Sequence, residues 1–111
     1  MPSKPSLDAQ ALEKVAALFK VFAEPTRLAI LQHLRSGTLS VNEIVELLST
    51  SQANVSKQLR ILYDADLLKR EQQGNQVFYS ISEPMVFDLC NLVCEKLNRQ
   101  ARAESAVIYE I

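Results

Sequence analysis

Gln52, Asn54, Ser56, Lys57, Gln58 and Arg60 crowd one short stretch, and no acidic residue stands between Ser51 and Tyr63. Side chains of this kind suit recognition rather than bond making. Gln and Asn can pair bidentately with adenine, and Lys or Arg can reach guanine or a phosphate. A second polar set follows at Arg70, Gln73, Asn75 and Gln76, gathered around Gly74. Long polar side chains at a turn can touch a phosphate backbone or read the width and A·T content of a minor groove. Lys69 strengthens this set and Glu71 partly offsets it. The bland alternatives are a solvated helix face and a solvated turn, and the surrounding elements decide between them.

Sulfur and imidazole offer less. The chain has two cysteines, Cys90 and Cys94, and a single histidine, His33. A Cys–His nucleophile would need His33 beside one of the thiols, and no Gly-rich phosphate loop, paired acid cluster or nucleophile elbow accompanies it. An enzyme is therefore not expected. At i and i+4 the cysteines occupy neighbouring positions on one helix face. A disulfide between them is geometrically poor, because consecutive turns do not give the required Cβ approach. Two thiolates there can chelate a soft ion such as trivalent arsenic or cadmium. A third sulfur would come from a second protomer, and an intermolecular disulfide is another outcome. Free cysteine is also a small apolar residue that is often buried, and both cysteines lie on or beside the stripe Val86, Leu89, Val93 and Leu97. Effector site and core packing both stay open.

The elements that must hold these residues follow from periodicity. Leu12, Val15, Ala16, Phe19 and Phe22 recur at helical spacing, which predicts a first helix over about 7–22. Pro25 suits the first turn of a second helix, which carries Leu28, Leu31 and Leu34 and stops at Gly37. Ser40-Val41-Asn42-Glu43 reads as a capping box opening a third helix. After the turn Ser49-Thr50-Ser51, a fourth helix runs to about Asp64, with Val55, Leu59 and Leu62 inward and Ala53, Ser56, Lys57 and Arg60 outward. The period then changes, and Leu67 to Glu71 and Gln76 to Ile81 read as a hairpin around Gly74-Asn75. Ser82-Glu83-Pro84 opens a last helix that continues past Arg99 toward Ala101 and Ala103. The apolar run Ala106-Val107-Ile108-Tyr109 fits no single element.

The expected fold is mainly α with a β-hairpin: a winged helix-turn-helix. In such a unit the second helix after a tight turn enters the DNA major groove, here with Gln52 and Asn54 at its leading tip. The hairpin is the wing. Residues 1–6 read as a disordered start, 7–98 as the domain and 99–111 as a C-terminal extension. A chain of 111 residues fits one domain. Its 48% hydrophobic and 23% charged residues are those of an ordinary globular protein. No apolar run approaches the roughly 20 residues that span a bilayer, and Met1-Pro2-Ser3-Lys4 does not open a signal peptide. The expectation is a cytoplasmic protein, in the bacterial cytoplasm or nucleoid, without a membrane partner. The net charge of −1 argues against phosphate binding, but charge distribution outweighs the sum, and the fourth helix is locally basic.

Several motifs in register carry a resemblance to a known family. Phe22-Ala23-Glu24-Pro25-Thr26-Arg27-Leu28-Ala29-Ile30-Leu31, Ser40-Val41-Asn42-Glu43-Ile44, Ser51-Gln52-Ala53-Asn54-Val55-Ser56-Lys57-Gln58-Leu59-Arg60-Ile61-Leu62, Asp66-Leu67-Leu68 and Gly74-Asn75-Gln76-Val77-Phe78-Tyr79 together resemble the ArsR/SmtB family of winged-helix repressors. The match covers roughly 12–98. The resemblance implies a homodimer built from the first and last helices, double-stranded DNA with a palindromic operator as partner, and repression relieved by an inducer or thiol modification. Two positions depart: Gln58 stands where the family often has His, and Asp66 where it often has Gly. Two familiar metal sites are also missing. The Cys-x-Cys pair at the start of the first helix-turn-helix helix is replaced by Ser40-Val41-Asn42-Glu43, and the last helix has Asp88 and Glu95 but no His. No zinc, nickel or cobalt site is expected; a soft metal or metalloid ion at Cys90 and Cys94 is the remaining cofactor. A winged-helix protein-interaction module without DNA binding is the competing class, and its cue, an acidic or apolar reading face, is absent.

Overall fold

A computed structural model describes residues 8–101 and 108–111. The expected disordered start at 1–6 and the helical continuation at Ala103 lie outside them. The elements are α1 (Ala9–Phe22), α2 (Pro25–Leu34), β1 (Leu39–Ser40), α3 (Val41–Leu47), α4 (Gln52–Asp64), β2 (Leu68–Gln73), β3 (Gln76–Ile81) and α5 (Met85–Ala101). All five predicted helices and the hairpin are present.

Side-chain caps define most helix starts. Asp8 accepts from the Ala11 N–H at 2.8 Å, and Glu24 accepts from the Arg27 N–H at 3.0 Å with Pro25 in the first turn. Ser40 and Glu43 form the reciprocal capping box at 3.1 and 3.0 Å. Ser51 accepts from the Asn54 N–H at 3.1 Å, so the tip of α4 is satisfied from its own chain. Each such cap contributes about 1 kcal/mol.

The end of α4 explains one departure from the family pattern. Asp66 has φ 60. Its N–H donates to the Tyr63 carbonyl at 3.0 Å, and the Leu67 N–H donates to the Leu62 carbonyl at 3.2 Å. These paired bonds make a Schellman stop, whose left-handed residue favours Gly and tolerates Asp. The chain can thus turn directly from α4 into the hairpin.

The sheet differs from expectation. β1 adds a third strand in the order β1-β3-β2, pairing Leu39 with Tyr79 and Ser40 with Phe78. A two-residue strand is too short to show a period, so only its partner reveals it. In the hairpin, Gly74 has φ 61 while Asn75 keeps a negative φ, the signature of a tight turn with Gly at its first central position.

The core gathers Ile30, Leu31 and Leu34 of α2, Ile44 of α3, and Val55, Leu59 and Leu62 of α4, against Leu67, Leu68, Tyr79, Val86 and Cys90. The stripe of α1 is mostly outside this core. Phe22 is buried, but Leu12 is 54%, Val15 42% and Phe19 60% exposed, as are Leu92 at 63% and Val93 at 49% on α5. An apolar face of this extent on two helices marks an interaction surface. Among the described residues no helix is long and apolar enough to cross a membrane.

Candidate nucleic-acid interface

α4 has two faces because its apolar residues recur at helical spacing. Val55, Leu59 and Leu62 are fully buried, which fixes the roll of the helix. Gln52, Ala53, Ser56, Lys57 and Arg60 are left exposed on the other side. Gln52 and Ser56 then line one polar groove of about 210 Å³ with Asn42 of α3 and with Asn75 and Gln76 of the hairpin turn. Residues from two separate sequence clusters thus meet on a single surface. Lys57 and Gln73 are exposed as well.

Three of the expected contacts, Gln58, Asn54 and Arg70, are placed differently. Gln58 is only 8% exposed, and both ends of its amide are engaged. Its Oε1 accepts from Arg27 Nη1 at 2.6 Å and its Nε2 donates to Asn54 Oδ1 at 3.0 Å. Gln58 is therefore a buried strut, not a surface contact. Asn54 is half-buried and also donates from Nδ2 to Thr50 Oγ1 at 3.0 Å. Arg70 does not extend toward the turn. Its guanidinium lies 4.1 Å from the centre of the Tyr63 ring, and Tyr63 meets Tyr79 edge-on at 6.5 Å. Tyr79, paired with Arg70 across the hairpin, and the neighbouring Tyr63 hold the Arg70 pKa above its ordinary value against the opposing effect of burial. A cation over an aromatic face is worth about 0.5–1 kcal/mol at an exposed site, which ties β2 to α4. Arg60 sits 3.7 Å from Asp64, with side chains 80% and 63% exposed. A solvated i,i+4 pair of this kind is weak, so Arg60 remains available to a phosphate.

Residue type alone does not single out Arg27 or Thr50. Arg27 meets Gln58 across 31 positions, a separation that periodicity does not register.

The sequence and the fold match known proteins. A family model described as a helix-turn-helix domain matches residues 22–71. The HTH-type transcriptional regulator NmtR of Mycobacterium tuberculosis is 39% identical over 79% of this chain and 72% of its own length. The transcriptional repressor SmtB homolog of Synechocystis is 34% identical over 86% of this chain and 71% of its own. This chain belongs to the ArsR/SmtB family. The solved structure of the AntR antimony-specific transcriptional repressor superposes with a TM-score of 0.74 at 30% identity, covering 94% of each chain. As an ArsR/SmtB protein, the chain is a DNA-binding transcriptional regulator with a winged helix-turn-helix fold, and not an enzyme.

The family also contains proteins named for metals and metalloids, so the thiols of this ArsR/SmtB chain bear on its effector. Cys90 and Cys94 are 5% and 7% exposed on α5. Burial pushes the Cys90 thiol up, Cys94 adds to this and Arg35 opposes it. Among the described residues no three His, Cys, Asp or Glu side chains come together. Within one protomer the two thiols do not complete a three-sulfur site, and a buried neutral thiol is a poor ligand until it ionises.

Proposed function

We propose that the chain is a repressor that binds a palindromic operator as a homodimer. Gln52 and Ser56 enter the major groove, and Gln73, Asn75 and Gln76 of the wing touch the flanking DNA. Lys57 and Arg60 meet phosphates, and the remaining polar edge of Asn54 completes the tip. The observation that carries this reading is the groove in which Gln52 and Ser56 of α4 face Asn75 and Gln76 of the wing. The exposed apolar residues of α1 and α5, led by Phe19 and Leu92, support a second copy as the occupant of that face. Two copies related by a twofold axis read an inverted repeat whose half-sites lie about one helical turn apart.

Release from the operator follows an effector. Cys90 and Cys94 are the candidate groups, taking a soft metal or metalloid ion once a partner's sulfur joins them, or undergoing thiol modification. Their burial supports core packing as the alternative.

Selection of duplexes from a random pool by the full-length protein tests the reading. An enriched inverted repeat is the expected result, and no enrichment contradicts it. Release of that duplex, screened with thiophilic metals, oxidants and persulfides, then identifies the effector. A Cys90→Ser, Cys94→Ser protein that still responds removes the thiols from that role.

A further inference from the structure

A continuous chain of side-chain hydrogen bonds runs through the domain behind the reading face. Arg27 donates from Nε to the Val21 carbonyl at 2.7 Å and from Nη2 to the Lys20 carbonyl at 3.0 Å, holding the last turn of α1. Its Nη1 donates to Gln58 Oε1 at 2.6 Å, Gln58 Nε2 to Asn54 Oδ1 at 3.0 Å, and Asn54 Nδ2 to Thr50 Oγ1 at 3.0 Å.

The direction of the chain is chemically forced. Arginine has donors and no acceptor. Gln58 must therefore turn its oxygen to Arg27, which turns its NH₂ to Asn54. Asn54 must answer with its oxygen, which sends its own NH₂ to Thr50. Successive bonds of one sense also polarise and strengthen one another. Asn54 keeps one N–H and one oxygen lone pair for an outside partner, and their orientation is dictated from the α1–α2 junction.

We propose that Arg27 and Gln58 are specificity-positioning residues: through this one-way chain they set which polar edge Asn54 presents to an operator base pair, and they tie that edge to the seat of α1. Neither needs to touch DNA. The inference rests on the operator-binding reading and adds to it a link between the helix carrying the open apolar face and the tip that reads sequence.

Gln58→Glu is the most informative variant. The carboxylate still accepts from Arg27 but cannot donate to Asn54, so only the orienting bond is lost. The added charge weakens binding to all duplexes, and the readout is therefore the ratio of affinities for the selected operator and a scrambled duplex at one salt concentration. The expected ratio falls about fivefold or more in Gln58→Glu, the range of one base contact. Asn54→Ala lowers it to a similar degree, and the double variant falls no further than Asn54→Ala alone, as coupled residues require. Arg27→Met cuts the chain at its other end, since a thioether offers no donor to Gln58 Oε1, and it lowers the ratio as well. Gln58→His restores the ratio, because a neutral ring accepts at one nitrogen and donates at the other. Thermal melts confirm that each variant is folded. An unchanged ratio in both Gln58→Glu and Arg27→Met overturns the proposal, as does an additive loss in the double variant. If the wild-type protein selects no duplex, the operator reading falls and this inference falls with it.

Discussion

Replacing Asp66 with glycine should make the protein more stable, although it removes a side chain. Asp66 is exposed and sits at φ 60, in the left-handed region, as the turning residue of the stop that follows α4. A residue with a Cβ costs about 1–2 kcal/mol there, with Asp near the lower end. Glycine escapes that cost, but its freer unfolded chain returns about 0.4–1 kcal/mol. A negative charge beside the C-terminal end of a helix is unfavourable by a further 0.3–1 kcal/mol, roughly. The net expectation for Asp66→Gly is a gain of about 0.5–1 kcal/mol, with both backbone bonds of the stop retained. For a domain of this size that is a rise in Tm of roughly 2–8 °C. Urea melts at one fixed protomer concentration measure it, so that self-association contributes equally to every variant. The midpoint should rise and the slope stay constant. Asp66→Ala keeps the left-handed penalty and should fall below Asp66→Gly by about 1 kcal/mol. A glycine variant no more stable than the alanine variant would refute the reasoning, since it would mean the left-handed geometry imposes no cost.

Other perturbations act on separate parts of the molecule. Lys57→Ala should weaken operator and scrambled duplex nearly alike and lower the salt slope by about 2, one contact from each protomer of the dimer, with a far-ultraviolet spectrum like the wild type; equal affinity in a gel-shift titration removes Lys57 from the interface. Phe19→Asp places a charge on the open face of α1 and should convert a dimer to a monomer by light scattering, with loss of operator binding; an unchanged mass moves the dimer surface elsewhere. Cys90 should react with an alkylating reagent more slowly at pH 8.5 than a free thiol, because burial raises its pKa. The same shift has a stability consequence. The folded state holds the proton more tightly than the unfolded chain, so this contribution is full below about pH 8.5 and is lost as pH rises through the folded pKa. In Cys90→Ala that part of the alkaline decline should disappear from melts taken across the range.

Much of this architecture can be read from residue order. Helical spacing exposes each of the five helices, and the Ser40–Glu43 box marks the start of α3 to the residue. The turn at Gly74-Asn75 brings Asn75 and Gln76 to the wing tip as expected. What escapes is tertiary. β1 is two residues long and exists only because β3 lies beside it. Gln58 and Arg70 carry the chemistry of surface contacts, yet Gln58 is drawn inward by Arg27 and Arg70 by the Tyr63 ring. Residue type announces a polar group without saying which partner satisfies it. The Asp66 departure looks like a lost glycine in sequence and becomes intelligible only with its φ. Likewise, the stripe of α1 looks like core by its period, and only burial separates Phe22 from the open Leu12, Val15 and Phe19.

The central claim, that this chain reads DNA with α4 and its wing as a dimer, meets its most direct test in equilibrium binding of the full-length protein to its selected duplex across salt concentrations. With Lys57 and Arg60 of both protomers each neutralising a phosphate, log K should fall linearly with log salt at a slope of about −3 to −4. A slope near zero would contradict the account.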